Sequence, residues 1–409
     1  MNSPTQAVIF CGGRGTRLGP ITEHLPKPMV PIHGRPFLEY LIDQLRHASF
    51  SEVVLLTGYL GQHIRDHFGD GQRFGIAIKY CEGAAEWETG QRLWEARQLL
   101  QPRFLLLYAD NFAPLRMAPL CRLHESTTNV ITLTVAKKEP GNIRLGPNDC
   151  VDLYDPTRQA TGLHYVEIGY MMVQRDPVLA ILQKSPGSFS AVLQNLAKSN
   201  QLGAWEQGDV YHSISDPERL QLTEEYLRPK RIILLDRDGV INQRPPRGGY
   251  VTRLEDFAFI PEHVEVFQKL AGQGFEFIVI SNQAGIARGI MKCESVDEIH
   301  AWMIAELAKR GIVVREVLYC PHYINDGCSC RKPLPGMFFE ASRRHALRLD
   351  QTVYVGDDVR DAQAANAAGC ACLLVGDTEE FRKLGSLDIP LHKTPTLDLG
   401  MPWILSHWS

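Results

Sequence analysis

The apolar run Ile232-Ile233-Leu234-Leu235 ends in Asp236-Arg237-Asp238-Gly239, and this junction restricts the fold more than any other segment. A short uninterrupted apolar run between polar flanks reads as a strand buried on both faces, the kind that builds parallel sheets. Carboxylates directly after it stand at the carboxyl end of the strand, where open α/β sheets collect their ligands. The pattern recurs downstream. Phe277-Ile278-Val279-Ile280 leads into Ser281-Asn282-Gln283, and Val353-Tyr354-Val355 leads into Gly356-Asp357-Asp358, with Lys332 between them. A lone Asp-x-Asp is usually a solvated turn, but polar clusters recurring in this order imply one composite site.

At 409 residues the chain exceeds one ordinary core, so two domains of about 200 residues are expected. Both halves alternate strands and helices. In the first, Ala7 to Phe10 precedes a Gly-rich turn, Phe37 to His47 has helical spacing, and Val53 to Leu56 resumes a strand. Further strands are expected at Ile76 to Ile78, Phe104 to Tyr108, Val130 to Val135 and Tyr165 to Val173. The fold class is therefore α/β, with two doubly wound, mostly parallel sheets covered on both faces. Leu222 to Lys230 is polar and broken by Pro229, which reads as a linker with the boundary near 228. The domains are then 1–228 and 229–409. The tail from Gly385, with three prolines before Ile404, reads as an ordered wrap.

A formal net charge of −4 gives no sign of a nucleic-acid or membrane-surface role. No apolar run reaches the roughly 18 residues of a membrane span. Met1 to Gln6 is polar and leads straight into a strand, unlike a secretory signal. Ten cysteines, scattered except for one cluster, fit a reducing cytoplasm. Small-molecule substrates are the expected partners, and a homo-oligomer is compatible with this reading.

Two local patterns carry chemistry. Gly12, Gly13 and Gly15, with Arg17 and the Leu25-Pro26-Lys27-Pro28 segment, follow the first strand. Glycines let the backbone approach phosphates, and Arg17 and Lys27 can neutralise a triphosphate and its leaving pyrophosphate. In the second half, Cys320-Pro321-His322 is followed after five residues by Cys328-Ser329-Cys330. Three thiolates and one imidazole within eleven residues match a closed tetrahedral structural Zn²⁺ site, which would fix the loop bearing Arg331 and Lys332.

Residues 7 to about 220 resemble the sugar-1-phosphate nucleotidyltransferases, on the pattern GGxGTRLxPxTxxxPKP and on Thr89-Gly90 and Asp110. The resemblance implies in-line attack of a sugar phosphate on the α-phosphorus of an NTP, with Asp110 holding Mg²⁺ and Glu167 and Gly169 near the sugar. One departure stands out. In Ser213-Ile214-Ser215-Asp216-Pro217-Glu218 a serine occupies the family's second metal-binding position, leaving Asp209 or Asp216 as substitutes, or the nucleotide's own oxygens.

Residues 231 to about 376 resemble the haloacid dehalogenase superfamily, within it the D,D-heptose 1,7-bisphosphate phosphatases, on LLDRDGVIN, GGYV, SNQAGIARG, CPH, CSCRKPLPGM and VGDDVRDAQAA. Histidinol-phosphate phosphatases share the nucleophile and zinc motifs. The chemistry expected is nucleophilic attack by Asp236, proton transfer by Asp238, phosphate contacts from Ser281, Asn282, Arg331 and Lys332, and Mg²⁺ held by Asp236, Asp238 and Asp357. Together the halves imply consecutive steps: removal of the 7-phosphate of a heptose 1,7-bisphosphate, then nucleotidyl transfer, GTP being the expected donor, to the 1-phosphate. The alternatives are the same chemistries on another sugar or polyol phosphate with CTP, UTP or dTTP, or a histidinol-phosphate-like phosphatase with a non-catalytic nucleotide-binding first half.

Overall fold

The computed structural model describes residues 4–208, 210–246, 248–376, 379–382 and 384–408. The chain forms two compact units, Met1–Arg228 and Pro229–Ser409.

The first unit is built on a nine-stranded sheet. The strand Gln6–Cys11, buried at every position, runs parallel to Glu52–Thr57 on one side and Arg103–Tyr108 on the other. Ala77–Glu82 extends the parallel set. Beyond Arg103–Tyr108 the direction changes, because Tyr165–Gln174 pairs antiparallel with it and Ile131–Lys137 pairs antiparallel in turn. The sheet is thus mixed where a mostly parallel one is expected: an apolar run marks burial but carries no direction. Helix Phe37–His47 turns Phe37, Leu38, Leu41, Ile42 and Leu45 inward. That spacing is the buried stripe of a 3.6-residue period, and Glu39 and Arg46 sit at the dipole ends that suit their charges.

The stretch expected as a linker is mostly helical. Asp216 caps the helix Pro217–Leu227, its carboxylate accepting from the Arg219 N–H, and Thr223, Tyr226 and Leu227 are buried. The flanking Asp-Pro explains where this helix starts.

Among the described residues the second unit has a six-stranded, all-parallel sheet in the order Val314–Cys320, Glu276–Asn282, Ile232–Leu235, Val353–Gly356, Ala371–Val375 and Leu391–Thr394. The tail from Gly385 supplies the last strand and the helix Leu397–Ser406. Leu235 is in register with Val279 and Val355. The residues following all three therefore emerge on one edge of the sheet.

Candidate active sites and a candidate metal centre

In the first unit, Gly12, Gly13, Gly15, Arg17, Lys27, Thr89 and Asp110 line one cavity of about 660 Å³. Gly15 has φ +65°, and a Cβ there would stand 2.8 Å from Lys27 Cβ. Glycine at this position lets the Lys27 stem close over the loop. Lys27 Nζ reaches Asp110 Oδ2 at 2.6 Å, so the ammonium and the carboxylate assigned to a metal neutralise each other.

Arg92, unremarked in the sequence, organises the loop from beneath. It is 4% exposed and donates to the carbonyls of Gly12, Thr57, Ala84 and Ala85. Ser213 is buried and in register with Asn111, beside Asp110, whose carbonyl accepts from the Ile214 N–H. The Ser213 hydroxyl lies 3.1 Å from Arg219 Nη1 and 3.1 Å from Ser215 Oγ. A cation thus stands where the family pattern calls for a second metal carboxylate.

Asp216 is occupied as a helix cap and hydrogen-bonded to Ser215, and its carboxyl is held low by the Arg219 N–H despite slight desolvation. Asp209 lies outside the described residues. Glu167 accepts from Tyr154 and Asn142, and burial raises its pKa. It does not line the cavity. Gly169 backs onto Tyr108 and Asn111 instead. Among the described residues, no group of three potential metal ligands includes Asp110.

The second unit gathers a denser site. Asp236, Asp238, Ser281, Asn282, Arg331 and Lys332 line a cavity of about 1050 Å³. Lys332 is 3% exposed. Its Nζ lies 2.8 Å from Asp236 Oδ1 and 2.8 Å from Asp361 Oδ1, with Ile280 O at 3.0 Å and Tyr354 OH at 2.7 Å. Burial alone would lower its pKa; the two carboxylates outweigh it and keep the ammonium charged. Asn282 grips residue 332 at both ends, donating to its carbonyl and accepting from its N–H, each at 3.0 Å. Its amide is therefore engaged with the backbone of Lys332, and any phosphate contact from Asn282 would fall to its main chain. The Ser281 hydroxyl accepts from Gln283 Nε2 at 2.8 Å.

Carboxylate oxygens of Asp236, Asp357 and Asp361 lie within 4.8 Å of one another. Burial, foremost, raises Asp357 to about 8, and it raises Asp236 as well, with neighbouring carboxylates adding to both. Asp357 Oδ1 is buried without a hydrogen-bond partner. An orphaned oxygen among converging carboxylates is the donor set a hard divalent cation takes. Gly239, at φ +90°, makes this possible, since a Cβ there would collide with the Asp357 carboxylate.

The side chains that converge differ in one member from the expected ligands. The Asp238 side chain is not part of the cluster; its oxygens accept from Arg237, Asn242 and Gln283. Asp361, four residues after Asp357, lies in the cluster instead, its Oδ1 facing Lys332 Nζ and the Tyr354 hydroxyl and its Oδ2 accepting from the Asp357 and Asp358 N–H groups. It also closes a capping box with Asp358 on the helix Val359–Ala368, and the Asp-x-x-Asp spacing of that box was the available signal. Arg244, also unforeseen, pairs with Asp357 at 3.3 Å and Asp358 at 2.6 Å at the rim.

Cys320, His322, Cys328 and Cys330 converge as their spacing predicts, with ligand atoms within 4.8 Å of one another. The Cys320 and Cys328 sulfurs are 3.7 Å apart, and His322 Nδ1 is 3.2 Å from Cys330 Sγ. Those separations suit four ligands around one tetrahedral ion. Arg331 follows directly and donates to the His322 carbonyl at 3.4 Å.

Comparison with known proteins follows the same division. Residues 6–143 match the nucleotidyl transferase family model, and residues 329–384 match the HAD-hydrolase-like model. The chain is 39% identical over 145 residues to the D-glycero-beta-D-manno-heptose-1,7-bisphosphate 7-phosphatase of Bordetella bronchiseptica, covering 36% of this chain and 80% of the relative. It is 33% identical over 153 residues to the D-glycero-alpha-D-manno-heptose-1,7-bisphosphate 7-phosphatase of Photorhabdus laumondii, covering 36% of this chain and 82% of that one. The crystal structure of D,D-heptose 1.7-bisphosphate phosphatase from B. bronchiseptica, complexed with magnesium and phosphate, aligns at 36% identity with a TM-score of 0.39, over 43% of this chain and 98% of that one. Among the described residues no helix is long and apolar enough to cross a membrane.

Proposed function

This chain belongs to the heptose-1,7-bisphosphate 7-phosphatase family and carries a nucleotidyl transferase unit ahead of its phosphatase; from that premise we propose that it performs two consecutive steps of nucleotide-activated heptose synthesis. The second unit removes the 7-phosphate of D-glycero-D-manno-heptose 1,7-bisphosphate. The first couples the resulting heptose 1-phosphate to GMP from GTP. The observation that carries the phosphatase reading is Asp236 at a strand end, 2.8 Å from a buried Lys332 and clustered with Asp357.

Burial would raise the Asp238 carboxyl, but the charge of Arg237 and the N–H groups around it hold it below the usual range in the free site, so it takes up a proton as the phosphate dianion enters beside it. Asp236 then attacks phosphorus as the bond to the sugar oxygen breaks, and Asp238 gives that oxygen the proton. Asp238 then takes a proton from the water that hydrolyses the aspartyl phosphate. Lys332 holds positive charge beside the nucleophile throughout. Mg²⁺ bound among Asp236, Asp357 and Asp361 would supply charge neutralisation for the approach of a carboxylate to a phosphate dianion. Zn²⁺ held by Cys320, His322, Cys328 and Cys330 would fix the loop carrying Arg331 and Lys332. In the first unit, Gly12, Gly13 and Gly15 receive the triphosphate, and Arg17 and Lys27 take up the charge that develops on departing pyrophosphate. Mg²⁺ there would be shared between Asp110 and the nucleotide's own oxygens.

GTP and the α-anomer form the reading supported by resemblance to guanylyltransferases. A second reading, in which the first unit binds nucleotide without turning it over, draws support from one feature: Lys27 and Arg219 stand at the two positions a metal would share. Purified protein given each anomer of heptose 1,7-bisphosphate and one NTP at a time separates them. The proposal expects phosphate release with or without nucleotide, and pyrophosphate release with GTP alone. No phosphate from either anomer refutes the sugar assignment, and pyrophosphate with a different NTP refutes the nucleotide. No pyrophosphate with any NTP, together with measurable nucleotide binding, establishes the second reading.

A further inference from the structure

Asp238 is held from behind. Arg237 Nη2 donates to both of its oxygens at 2.9 Å and Nε to Oδ1 at 3.2 Å. Asn242 Nδ2 reaches Oδ1 at 2.9 Å and Gln283 Nε2 reaches Oδ2 at 3.1 Å. The Arg237 side chain is wholly buried, and its Nη1 lies 3.0 Å from Nε2 of His300, on the helix Cys293–Ala308. A guanidinium only donates, so Nε2 is the unprotonated, accepting nitrogen. Burial, then the charge of Arg237, push this imidazole down to about 3, so it stays neutral. The ring is 4% exposed and packs at 5.3 Å from Tyr319. An apolar residue would fill this space equally well but would leave Nη1 facing no acceptor, a costly state for a buried charged donor.

We propose that His300 is a positioning residue for phosphoryl transfer, fixing Arg237 and through it the rotamer of Asp238 that meets the leaving oxygen. This rests on the reading of Asp236 as nucleophile and Asp238 as proton donor. An Asp236 oxygen bonds to phosphorus while the phosphorus–oxygen bond to the sugar breaks. The sugar oxygen keeps the electron pair and takes the Asp238 proton. Water later attacks the aspartyl phosphate and returns a proton to Asp238, restoring both side chains. A misplaced Asp238 therefore penalises poor leaving groups, such as sugar alkoxides, and spares good ones, such as p-nitrophenolate.

The test is kcat/KM, which reports the first phosphoryl transfer, for heptose 1,7-bisphosphate and for p-nitrophenyl phosphate. His300→Leu should lower the ratio of the two by roughly 10²-fold, the scale of a misplaced catalytic group, acting on kcat with the sugar KM held. His300→Gln places an amide oxygen near the Nε2 position and should restore the ratio. His300→Asn falls short and should not, so this pair decides the matter if the leucine variant fails to fold. An unchanged ratio in both His300→Leu and His300→Asn, or an equal loss on both substrates, overturns the proposal. Asp238→Asn is the reference: if it shows the leaving-group signature and His300 variants do not, positioning alone fails. If Asp238→Asn itself lacks the signature, the proton-donor reading falls with it.

Discussion

Lys27 Nζ stands 2.6 Å from Asp110 Oδ2, so the carboxylate that the sequence assigns to a metal is answered first by a cation. Nucleotide phosphates entering the cavity can draw Lys27 away and free Asp110. Asp110→Asn should then abolish pyrophosphate formation and leave phosphate release intact, both read on the same preparation. Arg17→Ala should cost on the order of 10²–10³ in kcat for the transferase, the size of one lost contact to developing charge.

Ser213→Asp is the informative reverse test. The new carboxylate would lie against Arg219, now 3.1 Å from the serine hydroxyl, and would form an ion pair there. Transferase turnover should change by less than about threefold, the modest scale of a pair that stays partly solvated. A large gain in pyrophosphate release would mean that the position reaches the metal after all.

Asp236→Asn should eliminate phosphate release by at least about 10³-fold, as removal of a nucleophile does elsewhere. Pyrophosphate release from supplied heptose 1-phosphate should persist. Loss of both activities in a folded variant would contradict two separate sites.

Metal-free protein should show a specific pH dependence. Asp357 is raised from 3.8 to about 8, chiefly by burial. A raised folded pKa means that the folded state keeps a proton which the unfolded chain releases near 4. That stability is fully present below about 4 and is lost as pH rises toward 8. Mg²⁺ binds the ionised form, so its apparent affinity should rise from pH 6 to pH 8. Its effect on Tm should be larger at pH 8. Thermal melts with and without Mg²⁺ across this window check both signs.

One zinc per chain should accompany protein purified without added metal. Cys328→Ser should raise the phosphatase KM before it lowers kcat, because it loosens the loop that carries Arg331 while Asn282 still grips Lys332 from the other side. Metal analysis and steady-state kinetics provide the readout. Unchanged kinetics in a zinc-free variant would remove the clasp from the phosphatase.

What the sequence made legible was local. Asp236, Ser281 and Asp357 are each fixed by the strand that precedes them, and parallel pairing aligns strand ends automatically. The Cys320 to Cys330 cluster is similarly contained in one loop. Contacts across long separations were hidden: Lys27 with Asp110, Arg237 with His300, Arg92 with the Gly12 carbonyl. None has a spacing to read, because the fold alone brings the partners together. Strand direction was hidden for a related reason, as Tyr165–Gln174 is equally apolar whether parallel or antiparallel. Within Leu222 to Lys230 the charges read as a linker, yet Thr223 and Tyr226 are buried at helical spacing, a periodicity that polar neighbours disguise.

The indole of Trp408 donates to the carbonyl of Lys230 at 3.0 Å, which joins the last helix of the second unit to the threshold of its first strand. Adjacent ends make a unit that tolerates rewiring. A circular permutant joining the two, opened at an exposed loop far from the strand ends, should keep its phosphatase. Trimming the chain at Leu397 would instead strip cover from the helix Pro261–Ala271 and from the strands Ala371–Val375 and Leu391–Thr394, so a cut in the tail would be felt deep inside the unit.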